Sequence, residues 1–341
     1  MNRKPKITQN DVARHAGVSR SMVSYVINGS DRSVAPVTRH KILDAISELE
    51  YRPNKHAQAL SKGKGILADQ NIGIVLCNAE ILLRPYYAEI LTGIYQAVHE
   101  NDFHIQFIRF FNELKEPALF NQLIHSEEIC GLLLVALDQC METREDTRLI
   151  ERIQERIDQI VCVDCQITDL SSVAFDRQTA ASQAVRYLFE QGFSDIAYIG
   201  EPDQRVAGFK QAFLERGTED ISKLYIDTAS DMASGLKAAQ KLHQKRGSLP
   251  RAICAGSDEV AMGILFYLHE KGIVVPKDTA LISIDNIEMA EYTYPQLTTM
   301  NVQKRAMGYR AVEMIVNRAA GRGENAQTLL LPVNLVIRKS A

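Results

Sequence analysis

The 341 residues contain no tryptophan, and only 7% are aromatic. Any wall that stacks a flat ligand must therefore come from tyrosine or phenylalanine. No apolar run approaches the roughly 18 residues needed to cross a bilayer. The N-terminus, MNRKPKITQ, is basic but lacks the apolar stretch of a signal peptide, so a cytoplasmic protein with no membrane partner is expected. Six cysteines lie scattered at 77, 130, 140, 162, 165 and 254, which suits reduced thiols in a cytosolic core. Cys162-Val163-Asp164-Cys165 is formally C-x-x-C. A zinc site would need a second pair at comparable spacing, and in a strand Cys165 would turn to the opposite face from Cys162. The histidines show no H-E-x-x-H spacing, and G-x-x-x-x-G-K-[ST], G-x-G-x-x-G and G-x-S-x-G are all missing. Nucleotide hydrolysis, dinucleotide binding and serine hydrolysis are left without a handle. No metal, no cofactor and no catalytic residues are expected, and the chain does not read as an enzyme.

The net charge of −3 hides a sharp division. Residues 1–64 carry twelve Lys/Arg against five Asp/Glu, or +7, and the remainder is −10. A basic head on an acidic body fits a nucleic-acid-binding head and a body that repels phosphate.

The head centres on TQNDVARHAGVSRSMVSYVIN, residues 8–28. Thr8 with Asp11 three residues on predicts an N-cap, opening a short helix that buries Val12 and Ala13. Gly17 breaks it, and Ser19 caps a second helix carrying Met22, Val23, Val26 and Ile27. Two short helices joined by a glycine turn make a helix-turn-helix, whose second helix enters the major groove. Its open face carries Arg20, Ser21 and Tyr25. After a turn at Asn28–Asp31, Pro36 begins a third helix with Ile42, Leu43, Ile46 and Leu49 at helical spacing. A short turn of helix over 55–60, capped by Asn54, is marginal alone, and SKGKG (61–65) is a flexible joint.

From Asn71 the pattern becomes β-α alternation. IGIVLC (72–77), HIQFIRF (104–110), GLLLVAL (131–137) and IVCVD (160–164) form one series of strands. SVAF (172–175), DIAYIG (195–200), RAICAG (251–256) and ALISID (280–285) form a second. Short apolar strands between helices predict parallel doubly wound sheets, and two series predict two similar lobes. Ligands in such sheets bind beyond the carboxyl ends of the strands, so a cleft between lobes is the expected site.

The motifs DVARHAGVS, VSYVIN, VTRHKILDAISELEYRPN, PYYAEILTGI, RVAGF, GSDEVAMGIL, ISIDN and PQLTTMN occur in this order along nearly the whole chain. In this they closely resemble the lactose-repressor/galactose-repressor (LacI/GalR) family of bacterial transcription regulators. The resemblance implies an α/β core of two doubly wound lobes, periplasmic-binding-protein-like, with an all-α helix-turn-helix head. It places the head at 1–53, a hinge helix and linker at 54–65, and the core at 66–341. One lobe takes about 71–172 and 302–330, and the other about 173–301 and 331–341, with crossings near 173, 301 and 330.

Carried over by residue, Arg20, Ser21 and Tyr25 are base-reading positions, with Arg20 suited to a guanine edge. Thr8, Ser19 and Asn28 contact the DNA backbone. Lys55, Ala57 and Leu60 belong to a minor-groove hinge, where Leu60 wedges a base step apart. Tyr86, Tyr87, Asp176, Arg205 and Asp285 line the effector cleft, where carboxylates and a guanidinium suit a polar ligand. For Arg205 the competing reading is a surface residue paired with Asp203. Two departures bear on the ligand. Only EPDQ separates Gly200 from Arg205, a shortened loop, and Ser230 stands where relatives often carry an aromatic. The acidic pair Asp258-Glu259 opens a helix, where carboxylates suit the macrodipole.

The implied protein is a repressor of pseudo-palindromic operator DNA, a homodimer or tetramer, controlled by a small polar effector such as a sugar. The rival readings are a solute-binding protein, which would need export, and an α/β enzyme of sugar metabolism.

Overall fold

The computed structural model describes residues 7–27, 34–49, 51, 70–217, 224–322 and 326–341. The head begins with helix α1 (Gln9–Ala16), α2 (Arg20–Ile27) and α3 (Pro36–Glu48). Thr8 closes a reciprocal cap with Asp11: its Oγ1 accepts from the Asp11 amide, and the Asp11 carboxylate accepts from the Thr8 amide at 2.9 Å. That satisfies two N-terminal groups that the helix itself leaves open. Gly17 ends α1 at φ 66, a left-handed conformation that a side chain would strain. Ser19 Oγ accepts from the Met22 amide at 3.3 Å, as a cap for α2 should. Val12, Ala13, Val23, Val26, Ile42, Ala45 and Tyr51 close one small core. The expected turn at 28–31, the hinge turn at 55–60 and the joint at 61–65 lie outside the described residues.

The strands and helices that follow are β1 (Asn71–Leu76), α4 (Pro85–Glu100), β2 (His104–Phe110), α5 (Pro117–Leu123), β3 (Gly131–Val135), α6 (Arg144–Gln154), β4 (Ile160–Val163) and β5 (Ser171–Phe175). Then come α7 (Arg177–Glu190), β6 (Ile196–Gly200), α8 (Gln204–Leu214), β7 (Tyr225–Asp227), α9 (Met232–Arg246), β8 (Ala252–Ala255), α10 (Asp258–Glu270) and β9 (Ala280–Asp285). The chain ends with β10 (Thr298–Asn301), α11 (Lys304–Ala319), β11 (Thr328–Leu331) and β12 (Asn334–Val336). One six-stranded sheet has the order β11-β5-β4-β3-β1-β2, and the other β12-β10-β9-β8-β6-β7. β1 pairs in parallel with β2 and β3, β5 with β4 and β11, β6 with β7 and β8, and β9 with β8 and β10, whereas β10 and β12 pair antiparallel. Strands covered on both faces carry unbroken apolar runs, and β3, β4 and β8 are buried at every position. Both sheets reverse strand order once, between β1 and β3 and between β6 and β8. These are the topological switch points at which open α/β sheets take ligands.

One expectation needs correction. SVAF was placed in the second strand series, but β5 pairs with β4 and β11 in the first sheet, with Val173 opposite Val163 and Leu329. The chain therefore passes to the second sheet after Phe175. A short apolar strand has the same alternation in either sheet, so only pairing decides where it goes.

By contacts the chain divides into two compact units, one of Met1–Asn78, Val98–Ile160 and Ile315–Gly323, the other of Ala79–Ala97, Val161–Met314 and Glu324–Ala341. Within the second unit, α4 and α11 cross at Gly93 and Gly308. A Cβ on Gly93 would collide with the Arg305 carbonyl, and one on Gly308 with the Ile90 carbonyl. The glycine of PYYAEILTGI is thus a helix-crossing residue. Gly208 of RVAGF and Gly263 of GSDEVAMGIL face the Gln178 and Met232 carbonyls in the same way.

Candidate DNA-reading head and effector site

On α2, Arg20 and Ser21 are exposed and Tyr25 is half-buried. Arg20 Nε donates to Gln9 Oε1 at 3.4 Å. Gln9 also bonds the hydroxyl of Tyr51, whose pKa burial raises above its ordinary value. Gln9 therefore links Tyr51, part of the head core, to the side chain expected to read bases. His15 Nε2 lies 2.6 Å from Glu48 Oε2 and ties α1 to α3. Thr8 and Ser19 both use their hydroxyls as caps on the exposed surface. Asn28, Lys55, Ala57 and Leu60 lie outside the described residues.

The second unit gathers a polar cluster. Tyr86 and Tyr87 are both buried and meet edge to face at 5.0 Å. Among the described residues the Tyr86 hydroxyl is buried without a hydrogen-bond partner. Burial pushes its pKa well up, and the nearby Asp164 and Asp285 carboxylates push the same way. Asp285 ends β9 at φ 120 and is followed by Asn286 at φ 53, two consecutive side chains in the left-handed region. Lys304 holds that bend, with Nζ donating to the Asp285 carbonyl at 2.6 Å and the Asn286 carbonyl at 3.0 Å. Asp285 is 4% exposed. Burial, reinforced by Asp258, raises its pKa well above the usual carboxylate range, against the pull of Arg205, Lys304 and Arg84.

Arg205 is 5% exposed, so it is not a surface residue, yet its partner includes the Asp203 of that reading. Nε donates to Asp203 Oδ1 at 3.0 Å, one terminal nitrogen to the Gly256 carbonyl at 2.6 Å, and the other to Glu201. The guanidinium thus bridges the loops that follow β6 and β8, at the second switch point. Asp176 works locally as the N-cap of α7, accepting from the Thr179 amide at 2.8 Å and its hydroxyl at 2.7 Å. Tyr86, Asp285 and Arg205 are brought into one electrostatic cluster with Tyr87 beside them, and Asp176 serves its own helix.

Asp258 and Glu259 do more than face a helix dipole. Asp258 accepts from Ser283 Oγ, from Thr299 Oγ1 at 2.7 Å and from the Ile287 amide at 2.7 Å. Glu259 pairs with Arg84 at 2.9 Å, and Arg84 also donates to the Ser230 carbonyl at 2.8 Å. Among the described residues the Ser230 hydroxyl is buried without a partner.

Residues 8–54 match the model for "Bacterial regulatory proteins, lacI family", and residues 185–341 match "Periplasmic binding protein-like domain". The HTH-type transcriptional repressor PurR of Photorhabdus laumondii is 30% identical over 98% of this chain and 96% of its own. That of Edwardsiella ictaluri is 29% identical over the same shares. The chain belongs to the LacI family. Its fold matches that of the transcriptional regulator CelR in complex with cellobiose, with TM-score 0.70, 26% identity, and 98% and 100% of the two chains covered. The lac repressor dimer bound to operator and the anti-inducer ONPF superposes with TM-score 0.69 at 24% identity, over 98% and 99%. As a LacI-family member the protein is a DNA-binding transcriptional repressor and not an enzyme. Among the described residues no helix is long and apolar enough to cross a membrane.

Four residues of the cluster were missed by sequence reasoning: Arg84, Asp164, Arg177 and Lys304. Arg177 donates to the Asp164 carbonyl at 2.7 Å and lies 3.6 Å from Asp203. A signal was present. Arg84, Arg177 and Lys304 all stand at helix N-termini, where the macrodipole disfavours a cation. Each is offset by a carboxylate from elsewhere in the chain.

Proposed function

We propose that this LacI-family repressor binds a pseudo-palindromic operator as a homodimer and responds to a small, neutral, hydroxyl-rich effector. The effector would sit among Tyr86, Tyr87, Arg205 and Asp285, and its binding would alter operator affinity. The division into head (1–53), hinge and linker (54–65) and core (66–341) belongs to this proposal. So do base reading by Arg20, Ser21 and Tyr25, backbone contacts by Thr8, Ser19 and Asn28, and a hinge of Lys55, Ala57 and Leu60. Acting on DNA, the protein would work in the cytoplasm.

The observation that carries the effector class is the pairing of charges. Arg84 faces Glu259, Arg177 faces Asp164 and Asp203, Arg205 faces Glu201 and Asp203, and Lys304 faces Glu89. An anionic ligand would have to displace an internal carboxylate to reach any of these cations. The Tyr86 and Ser230 hydroxyls lack partners among the described residues, and the Asp285 carboxyl is poorly solvated. A ligand offering hydroxyl groups supplies what these atoms lack, because an unmet buried polar group costs about 1–3 kcal/mol. The cellobiose held by the similar CelR has this chemistry. A carboxylate-rich effector, also compatible with the sequence, is less well served. Asp176 could contribute only by sharing a carboxylate that already caps α7.

A thermal-shift screen of the full chain tests the proposal, since binding to the native state alone raises stability. Neutral sugars and polyols should include ligands that raise the melting temperature, while mono- and dicarboxylates and sugar phosphates should not. A response confined to the anions would reject the effector class.

A further inference from the structure

The first switch point, between β1 and β3, holds two thiols. Cys77 directly follows β1 and extends its ladder, its amide donating to the Val135 carbonyl at 3.1 Å. Val135 ends β3, Ala136 turns the chain at φ 55, and a 3-10 turn over Leu137–Gln139 delivers Cys140. There the Cys140 amide donates to the Leu137 carbonyl at 3.1 Å, and its Sγ also lies 3.5 Å from that oxygen. The two loops bring the Cys77 and Cys140 thiols into hydrogen-bond contact. Cys77 is 1% exposed, and Cys140 is partly open to solvent.

We propose that Cys77 and Cys140 form a reversible disulfide on exposure to hydrogen peroxide, with Cys140 the attacking thiol and Cys77 the resolving one. The assignment of roles follows from access and environment. The hydrogen bond from Cys77 lowers the Cys140 pKa, against burial and the Asp146 and Asp138 carboxylates, with a smaller favourable effect from Lys115. Lys115 Nζ is itself 2.7 Å from Asp146, so that salt bridge mutes both charges. A thiol that is accessible, biased toward thiolate and adjacent to a second thiol has the environment of redox-sensing cysteines. The other cysteines differ. Cys162, Cys165 and Cys254 are fully buried, and burial pushes the Cys254 thiol up to about 12. Cys130 Sγ donates to the Asn71 carbonyl at 3.2 Å.

The chemistry balances in two steps. The Cys140 thiolate attacks one peroxide oxygen. An S–O bond forms, the O–O bond breaks, and the departing hydroxide takes a proton to leave as water. The Cys77 sulfur then attacks the Cys140 sulfenic acid. An S–S bond forms, the S–O bond breaks, and a second water leaves. Peroxide is reduced and the two thiols are oxidised. A reducing dithiol returns both by exchange through a mixed disulfide. Cytosolic disulfides are commonly transient and sensing in character. This one would staple together the chain segments leaving β1 and β3 at a switch point.

The test uses the full chain, fully reduced and then treated with stoichiometric hydrogen peroxide, quenched with an alkylating agent and mapped without reduction. The expected result is one linked peptide pair containing Cys77 and Cys140, two hydrogens lighter than the separate peptides. Two free thiols per chain should be lost, and dithiothreitol should restore them. Cys140→Ser should show no such loss. Cys77→Ser should stop at a sulfenic acid that dimedone labels at Cys140. Retention of all six thiols, oxidation led by Cys130, or a wild-type product that halts at Cys140 sulfenic or sulfinic acid would overturn the proposal. The wild-type map and Cys140→Ser decide the matter even if Cys77→Ser fails to fold, because Cys77 alone is the buried partner.

Discussion

Arg84 Nε lies 2.9 Å from Glu259 Oε2, joining the residue before α4 to the first turn of α10. Both side chains are largely buried, at 20% and 9% exposure. The same guanidinium reaches the Ser230 carbonyl and lies 5.3 Å from the centre of the Tyr87 ring. One arginine thus connects the start of α4 with the segment leading into α9 and the first turn of α10.

Breaking that pair from one side should be costly. Glu259→Gln and Arg84→Ala should each lower stability by about 3 kcal/mol, since a buried ion left without its partner is poorly compensated. The double variant should lose clearly less than the sum of the two. Chemical denaturation of all four proteins in a double-mutant cycle checks this, and additive losses would show that the two side chains act independently.

Asp285 should behave in the opposite sense. Its folded pKa is raised, so the protonated form adds stability that is complete below the ordinary carboxylate range and is lost as pH rises through the folded value. Asp285→Asn mimics the protonated form. It should therefore stabilise the ligand-free protein at neutral pH, with the advantage shrinking as the pH falls toward the unfolded carboxylate value. Melting temperatures of both proteins across that range make the comparison, and a variant less stable at neutral pH would contradict the assignment.

In the head, Arg20→Ala should weaken operator binding by about 1–3 kcal/mol and relax preference at one base pair per half-site. Gln9→Ala should give a smaller loss of the same kind, because it frees Arg20 without removing it. Selection of binding sites from random DNA tests both, and an unchanged preference in Arg20→Ala would sink the base-reading role. Replacing a lysine or arginine that meets only phosphate should weaken all sequences alike and flatten the salt dependence.

Leu60→Ser should reduce operator affinity and DNA bending while leaving effector binding intact. Kinking costs a few kcal/mol per unstacked step and is offset by the contacts it permits. Equal bending by variant and parent in a circular-permutation assay would rule out the wedge.

Much of this architecture was legible from the sequence because periodicity and punctuation follow local rules. Thr8, Gly17 and Ser19 act where their chemistry places them, and most apolar strand runs became buried parallel strands, HIQFIRF instead forming the largely exposed edge strand β2. What stayed hidden was decided by partners distant in sequence. The sheet that takes β5 depends on β4 and β11, and the burial of Arg205 depends on the Gly256 carbonyl, 51 residues away in sequence. Asp176, expected in the effector cleft, also caps α7, and Thr179 three residues on is the local signal of that role. Arg84, Arg177 and Lys304 could have been noticed, since a cation at a helix N-terminus is locally unfavourable and so implies a distant carboxylate. The glycines at 93, 208, 263 and 308 carry no side chain to interpret, and their role appears only where two helices cross.

The central claim, that a hydroxyl-rich effector acts through Tyr86 and Asp285 to control operator binding, is tested most directly by fluorescence anisotropy on labelled operator DNA. Wild type, Tyr86→Phe and Asp285→Asn would each be titrated with and without a neutral polyol that raises the wild-type melting temperature. The account predicts that all three bind operator similarly without the polyol. Only wild type should change its affinity at that polyol concentration, with Tyr86→Phe needing more and Asp285→Asn not responding. An equal response by all three at the same concentration would contradict it.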